Sequence, residues 1–137
     1  MNEEITLVRD AIHNPAEPRH FMRLAYPPHL VTASIRGIEI ARTKRAIKLK
    51  EVGRDIYEPV IYFPRADVDM GRLRRVEKST HCPLKGDAEY FEIQLDDEAA
   101  SEVAWSYDRT LAFADAIKNH IAFFPRFVQV IEHSAGW

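Results

Sequence analysis

Three short stretches concentrate the side chains able to bind or react: Tyr62-Phe63-Pro64-Arg65-Ala66-Asp67, Thr80 to Tyr90, and Trp105-Ser106-Tyr107. In the middle one, Cys82 stands beside His81, and a neighbouring cation lowers the pKa of a thiol. Successive residues of an extended chain point to opposite faces, so His81 need not touch Cys82, and a covered structural cysteine is the competing reading. Lys85 sits on a loop stiffened by Pro83 and bent at Gly86, where a point charge suits a phosphate or carboxylate. A solvated loop lysine is its plain alternative. Arg65 and Asp67 are two apart and share a side if the chain is extended, as an anion clamp oriented by Asp67 or as an internal ion pair. Glu89 falls on the face opposite Tyr90 and reads as exposed. Trp105 and Tyr107 share one strand face, as core with polar tips or as the aromatic wall of a pocket.

The site these residues suggest is a small-molecule pocket. Arg65, Asp67, Lys85, Tyr90, Trp105 and Tyr107 form the ligand-binding set, for a polar or anionic molecule. If catalysis follows binding, Cys82 is the nucleophile and Asp67 or His81 the base. Arg65, Asp67, Lys85, Tyr90 and Trp105 are expected to converge on one concavity, with charged heads within about 10 Å, the range over which salt does not yet screen them. On that reading Lys85→Met leaves the fold intact. No metal and no cofactor is expected. There is one cysteine, His81 has no second ligand at a telling spacing, and His13, His20, His29, His120 and His133 show no arrangement that suggests ligation.

Composition limits the partners. Apolar residues make up 46% of the 137 residues, enough for a real core and too much for disorder. No run approaches the roughly 18 apolar residues that span a bilayer, and the acidic start Met1-Asn2-Glu3-Glu4 lacks the basic region of a secretory signal. The lone cysteine fits a reducing cytoplasm. A formal charge of −2 is no footprint of a dedicated nucleic-acid binder. Charge is nonetheless segregated. Residues 36–50 carry six basic side chains against Glu39, and residues 87–102 carry seven acids and no base, either as solvated faces or as a field attracting anions.

The elements that must position these residues are mostly strands. Residues 1–29 read as an N-terminal arm, with a short helix over Glu3 to His13, that packs on the domain or on a second copy of the chain. Residues 30–137 read as one β-rich domain. Alternation over Leu30–Arg36, Ile38–Ile40, Ile47–Lys50, Tyr90–Leu95 and Val103–Tyr107, with the β-branched and aromatic run Val60–Phe63 and the basic strand candidate Leu73–Lys78, all separated by turn residues, predicts antiparallel sheet. One amphipathic helix is predicted from Thr110, its N-cap, to Phe124, with Phe113, Ile117, His120 and Phe124 on one face and Pro125 ending it. Phe127 to Ile131 reads as a closing strand.

The three stretches, with Ala122-Phe123, resemble the pattern of a bacterial and fungal family, the "domain of unknown function 427". The pattern is Tyr62 to Asp67, then His81-Cys82-Pro83 with Lys85-Gly86, Ala88 and Tyr90, then Trp105-Ser106-Tyr107. The resemblance spans about Leu30 to Phe124. It implies a β-tent-like fold, two small antiparallel sheets pinned at one end. Relatives in that class hold zinc on two Cys-x-x-Cys pairs, which a chain with one cysteine cannot build. The family is sometimes labelled a nucleotidyltransferase, but neither a P-loop nor a Gly-Ser pair followed by spaced aspartates is present. The resemblance also leaves a non-catalytic module for a peptide or modified side chain as the alternative. A cavity of about 300 Å³ or more favours the small ligand over the shallow cage.

Overall fold

The computed structural model describes residues 10–95 and 99–134. Among the described residues, eleven strands form three antiparallel sheets, one more sheet than the two expected. The first contains β1 (Ile12–Asn14), β2 (Glu17–Ala25), β5 (Ile47–Val52) and β6 (Val60–Tyr62) in that order. The second runs β10 (Ala122–Phe123), β9 (Ala99–Thr110), β8 (Gly86–Gln94), β7 (Leu73–Cys82). The third runs β11 (Gln129–His133), β3 (Leu30–Ile35), β4 (Ile38–Thr43). The expected arm thus supplies β1 and β2: β1 pairs with β2, and Phe21–Ala25 of β2 pair with β5, so this part of it packs on the domain. The start of the helix expected over Glu3 to His13 lies outside the described residues, and Ile12 and His13 are strand. Asp96, Asp97 and Glu98, three of the seven acids of residues 87–102, also lie outside them.

Local chemistry explains the hairpins. Arg36 and Gly37 join β3 to β4 with φ of 51° and 79°, the pair of positive angles that a two-residue turn needs to match strand twist. Gly86 begins β8 at φ 117°, so the three-residue turn Pro83-Leu84-Lys85 folds back inward. Leu84 is fully buried there, and the Lys85 carbonyl accepts from the Leu111 N–H at 3.0 Å.

The amphipathic C-terminal helix is not present. Ala112–Ile117 is a 3₁₀ helix, Thr110 is the last residue of β9, and the chain is extended again at Ala122–Phe123. Instead of capping, the Thr110 hydroxyl donates to Asp115 Oδ1 at 2.5 Å. Burial selects Ala114 and Ile117, three apart, which is the spacing a 3₁₀ turn stacks on one side. Phe113 is exposed. Asn119, at φ 60°, turns the chain so that Ile121 can bridge to Phe63.

Strand alternation divides the interior in two. On one face of the β8–β9 layer, Phe91, Ile93 and Ala104 join Val31, Ile40, Phe63 and Ile121 in the larger core. On the other, Ala88 and Tyr107 join Met22, Leu49, Tyr62, Leu84 and Ile117. Tyr90, Trp105 and Cys82 pack against this second core. The site described next is built at its edge.

Candidate functional site

β2 and β5 carry the site from below. Met22 faces Glu51 across the ladder, and side chains two apart on a strand share a face. His20, Met22 and Leu24 therefore lie over Leu49 and Glu51, with Met22 and Leu49 in the second core. Glu51 takes the position after Ile47 and Leu49 in this inward series. Its charge is met from two sides. The Lys85 ammonium donates to Oε1, and His20 Nε2 lies 2.9 Å from Oε2. Lys85 is only 9% exposed, and its Nζ stands 5.5 Å above the centre of the Tyr107 ring. Burial raises the pKa of Glu51, but the Lys85 ammonium and the hydrogen bonds from Lys85 and His20 outweigh it and hold the carboxyl below its ordinary 4.5.

Asn14 sets the state of His20. The Ala16 N–H donates to Asn14 Oδ1 at 2.9 Å, which turns the amide nitrogen toward His20 Nδ1 at 3.3 Å. Nδ1 is then an acceptor, and Nε2 carries the proton that Glu51 accepts. Asn14, His20, Glu51 and Lys85 thus form one hydrogen-bonded chain, satisfied at every link. Cys82 closes on it from β7: one ligand atom each of His20, Glu51 and Cys82 lies within 4.8 Å of the others. Tyr62 and Tyr107 flank the chain from within the core. Burial, more than the nearby acidic groups, pushes both phenols well above their ordinary range, so they stay un-ionised.

Outside this chain lies a half-open cleft of about 560 Å³ between the start of β2 and the turn after β5. His20 and Pro83 face it, with Asn14, Arg19, Arg54 and Tyr57 around them. Gly53 keeps it open. A Cβ there would meet the Tyr57 ring at 3.1 Å and the His20 ring at 3.5 Å.

The residues expected to form one pocket do not meet in one. Arg65 donates to Glu89 at 2.9 Å and to the Asn119 carbonyl at 3.1 Å, and lies over Phe91, on the larger-core face of the β8–β9 layer. Lys85 and Tyr107 lie on the opposite face. A sheet therefore stands between the two cations, Arg65 and Lys85. Asp67 does not orient Arg65. Arg65–Asp67 is a 3₁₀ turn, not extended chain, and Asp67 accepts instead from Thr43 at 2.7 Å and from Arg45 at 3.3 Å. Glu89 does oppose Tyr90, but it is covered, gripped by Arg65 and by Arg75. His81 pairs with Asp87 at 2.7 Å on the exposed side, while Cys82 turns inward.

Tyr90 stacks on Phe124 and shares a 2.7 Å hydrogen bond with Thr80. The Trp105 indole N–H donates to Tyr62 at 3.3 Å. These are the core-with-polar-tip roles. Half of the basic stretch is spent on ion pairs, Arg42 with Glu39, Arg45 with Asp67 and Lys48 with Glu132. His20 and Glu51 were missed from sequence. The signal was present, since alternation places both on inward faces, where a charge needs a partner.

A family model described as "Domain of unknown function (DUF427)" matches residues 24–134. A search of curated proteins finds no match. Glu51, Cys82 and Lys85 fall inside the matched residues, and Asn14 and His20 precede them.

Proposed function

The chain belongs to the DUF427 family, and from that premise we propose that it binds a small anionic molecule in the cleft above His20. The observation that carries this reading is the buried chain from Asn14 to Lys85, which meets the cleft where Asn14 and His20 line it. Packing alone gives no reason for it, because apolar side chains of similar volume serve a core at least as well as a buried ion pair. The volume of about 560 Å³ lies in the range of small-ligand sites rather than of a shallow cage.

Charge around the cleft favours an anion. Arg19 is paired with Glu17 at 3.0 Å. Arg54 makes no ion pair or hydrogen bond with the described residues, so its guanidinium is available for a bidentate contact. Tyr57 and His20 supply a flat wall and a polar edge. Nucleotidyl transfer finds less support. Among the described residues, the one group of three potential metal ligands is His20, Glu51 and Cys82, not the spaced carboxylates that two magnesium ions need.

Thermal denaturation against inorganic phosphate and small mono- and dicarboxylates tests the reading. A ligand at a hundred times its Kd stabilises by about 2.7 kcal/mol. Arg54→Gln is expected to abolish that shift while leaving the unliganded melting temperature unchanged, since the side chain is exposed and unpaired. Gly53→Ala should weaken binding by pushing Tyr57 into the cleft. A shift that survives in Arg54→Gln, or none with any anion, overturns the proposal.

A further inference from the structure

We infer that His20, Glu51 and Cys82 form a divalent-metal site of the zinc class, open toward the cleft. The three residues come from β2, β5 and β7, and their ligand atoms already lie within 4.8 Å of one another without a metal to draw them in. The donor set is one imidazole nitrogen, one carboxylate oxygen and one thiolate sulfur. That mixture suits zinc, which takes nitrogen, oxygen and sulfur in a tetrahedron, and three protein ligands leave its fourth position for water or substrate. His20 faces the cleft, and Pro83, next to Cys82, lines it, so the open position is reached from solvent.

Lys85 fits this arrangement. It holds Glu51 through Oε1, which leaves Oε2, the oxygen facing His20, for the cation. A thiolate and a carboxylate balance a charge of two, and the ammonium keeps the carboxylate ionised and aimed. His20 Nε2 and Glu51 Oε2 are 2.9 Å apart with a proton between them. Tetrahedral ligands at zinc distances stand roughly 3.3 Å apart, so the change is a small opening. The proton balance is defined. The Cys82 thiol loses its proton to solvent. The ring proton leaves Nε2, which binds the metal, and Nδ1 takes one up. Asn14 must then turn its amide, giving up the Ala16 N–H, so that Oδ1 accepts from Nδ1–H, the outer contact that fixes a metal-bound imidazole.

This inference does not depend on the anion reading, because metal alone tests it. The reduced, metal-stripped full chain is titrated with Co²⁺. The expected result is saturation at one equivalent, with the intense visible bands of a four-coordinate ion, a sulfur-to-cobalt charge-transfer band in the near ultraviolet, and displacement by Zn²⁺. One proton should be released per metal bound. Cys82→Ser should abolish the charge-transfer band. Asn14→Ala should weaken binding by about 10–100-fold, and His20→Ala by at least as much. Circular dichroism of each variant separates loss of the site from loss of the fold, and His20→Gln replaces any variant that fails to fold. A weak six-coordinate spectrum, a charge-transfer band that persists in Cys82→Ser, or no binding below millimolar Co²⁺ overturns the inference. The last outcome would mean that the Lys85 ammonium already fills the cation's place.

Discussion

Gly86→Ala is expected to cost more than about 4 kcal/mol, a loss confined to a few mechanisms, and to lower the melting temperature by roughly 15 °C. Two independent penalties act at this residue. Its φ of 117° is one that side chains of L-residues rarely adopt. An added Cβ would also sit 2.1 Å from the Arg109 carbonyl oxygen and 2.8 Å from Thr110 Cα. Both neighbours are backbone of β9, directly across the ladder, and neither can swing aside as a side chain can. Relief requires the end of β9 to move. That breaks the Leu111 N–H contact to the Lys85 carbonyl and lifts Leu84 and Lys85 from the second core. Gly37→Ala is the control. Its φ is 79°, but nothing lies within 4 Å of the added atom, so only the backbone penalty of about 1 kcal/mol applies. Urea denaturation of both variants separates the terms. A Gly86→Ala protein melting within a few degrees of wild type would show that β9 can yield there.

The same residue shows what was legible in the sequence. Pro83 and Gly86 mark a constrained turn whatever surrounds them, because their limits are local. Alternation likewise placed β3, β4, β5, β8 and β9, since a strand with one buried face must show period two. The helix from Thr110 to Phe124 failed because its face pairs Ile117 with Phe113, which is exposed, whereas the structure buries Ile117 with Ala114. Apolar spacing cannot choose between a 3₁₀ turn followed by extended chain and a continuous helix when β9 decides which side chains it covers. The pairing of Arg65 with Asp67 failed for a local reason, the 3₁₀ turn between them. Glu51 and His20 are a different case. Each strand's pattern turned them inward, but their partners lie 34 residues away for Glu51 and Lys85 and 31 for His20 and Glu51. No spacing along one chain announces such a meeting, and a charged residue in a strand is more often solvated. What the pattern did permit, and what went unused, was the question of what neutralises an inward Glu after Ile47 and Leu49.

The answer predicts a result opposite to the harmless Lys85→Met of the sequence reading. Lys85 is buried and paired, so this variant leaves the Glu51 carboxylate in a low-dielectric corner with only His20 to meet it. The expected loss is about 3 kcal/mol at neutral pH, the scale for breaking a buried pair. Removing both charges removes the problem. Glu51→Leu combined with Lys85→Met should be more stable than Lys85→Met alone by about 2 kcal/mol, short of full recovery because His20 loses its acceptor. The pH dependence carries a sign that packing loss would not. In the wild type the carboxyl of Glu51 is held below its ordinary 4.5. It therefore contributes stability that is full above 4.5 and is lost as pH falls through the lowered value. In Lys85→Met the main cause of that lowering is gone, and burial pushes the carboxyl upward, so acidification neutralises it and relieves the variant. The gap between the two proteins should be widest near neutral pH and close as pH falls below 4.5. Urea melts at neutral pH and at pH 4 measure it. A gap independent of pH, with single-variant losses that simply add in the double variant, would reduce Lys85 to packing and remove the electrostatic chain on which the site is built.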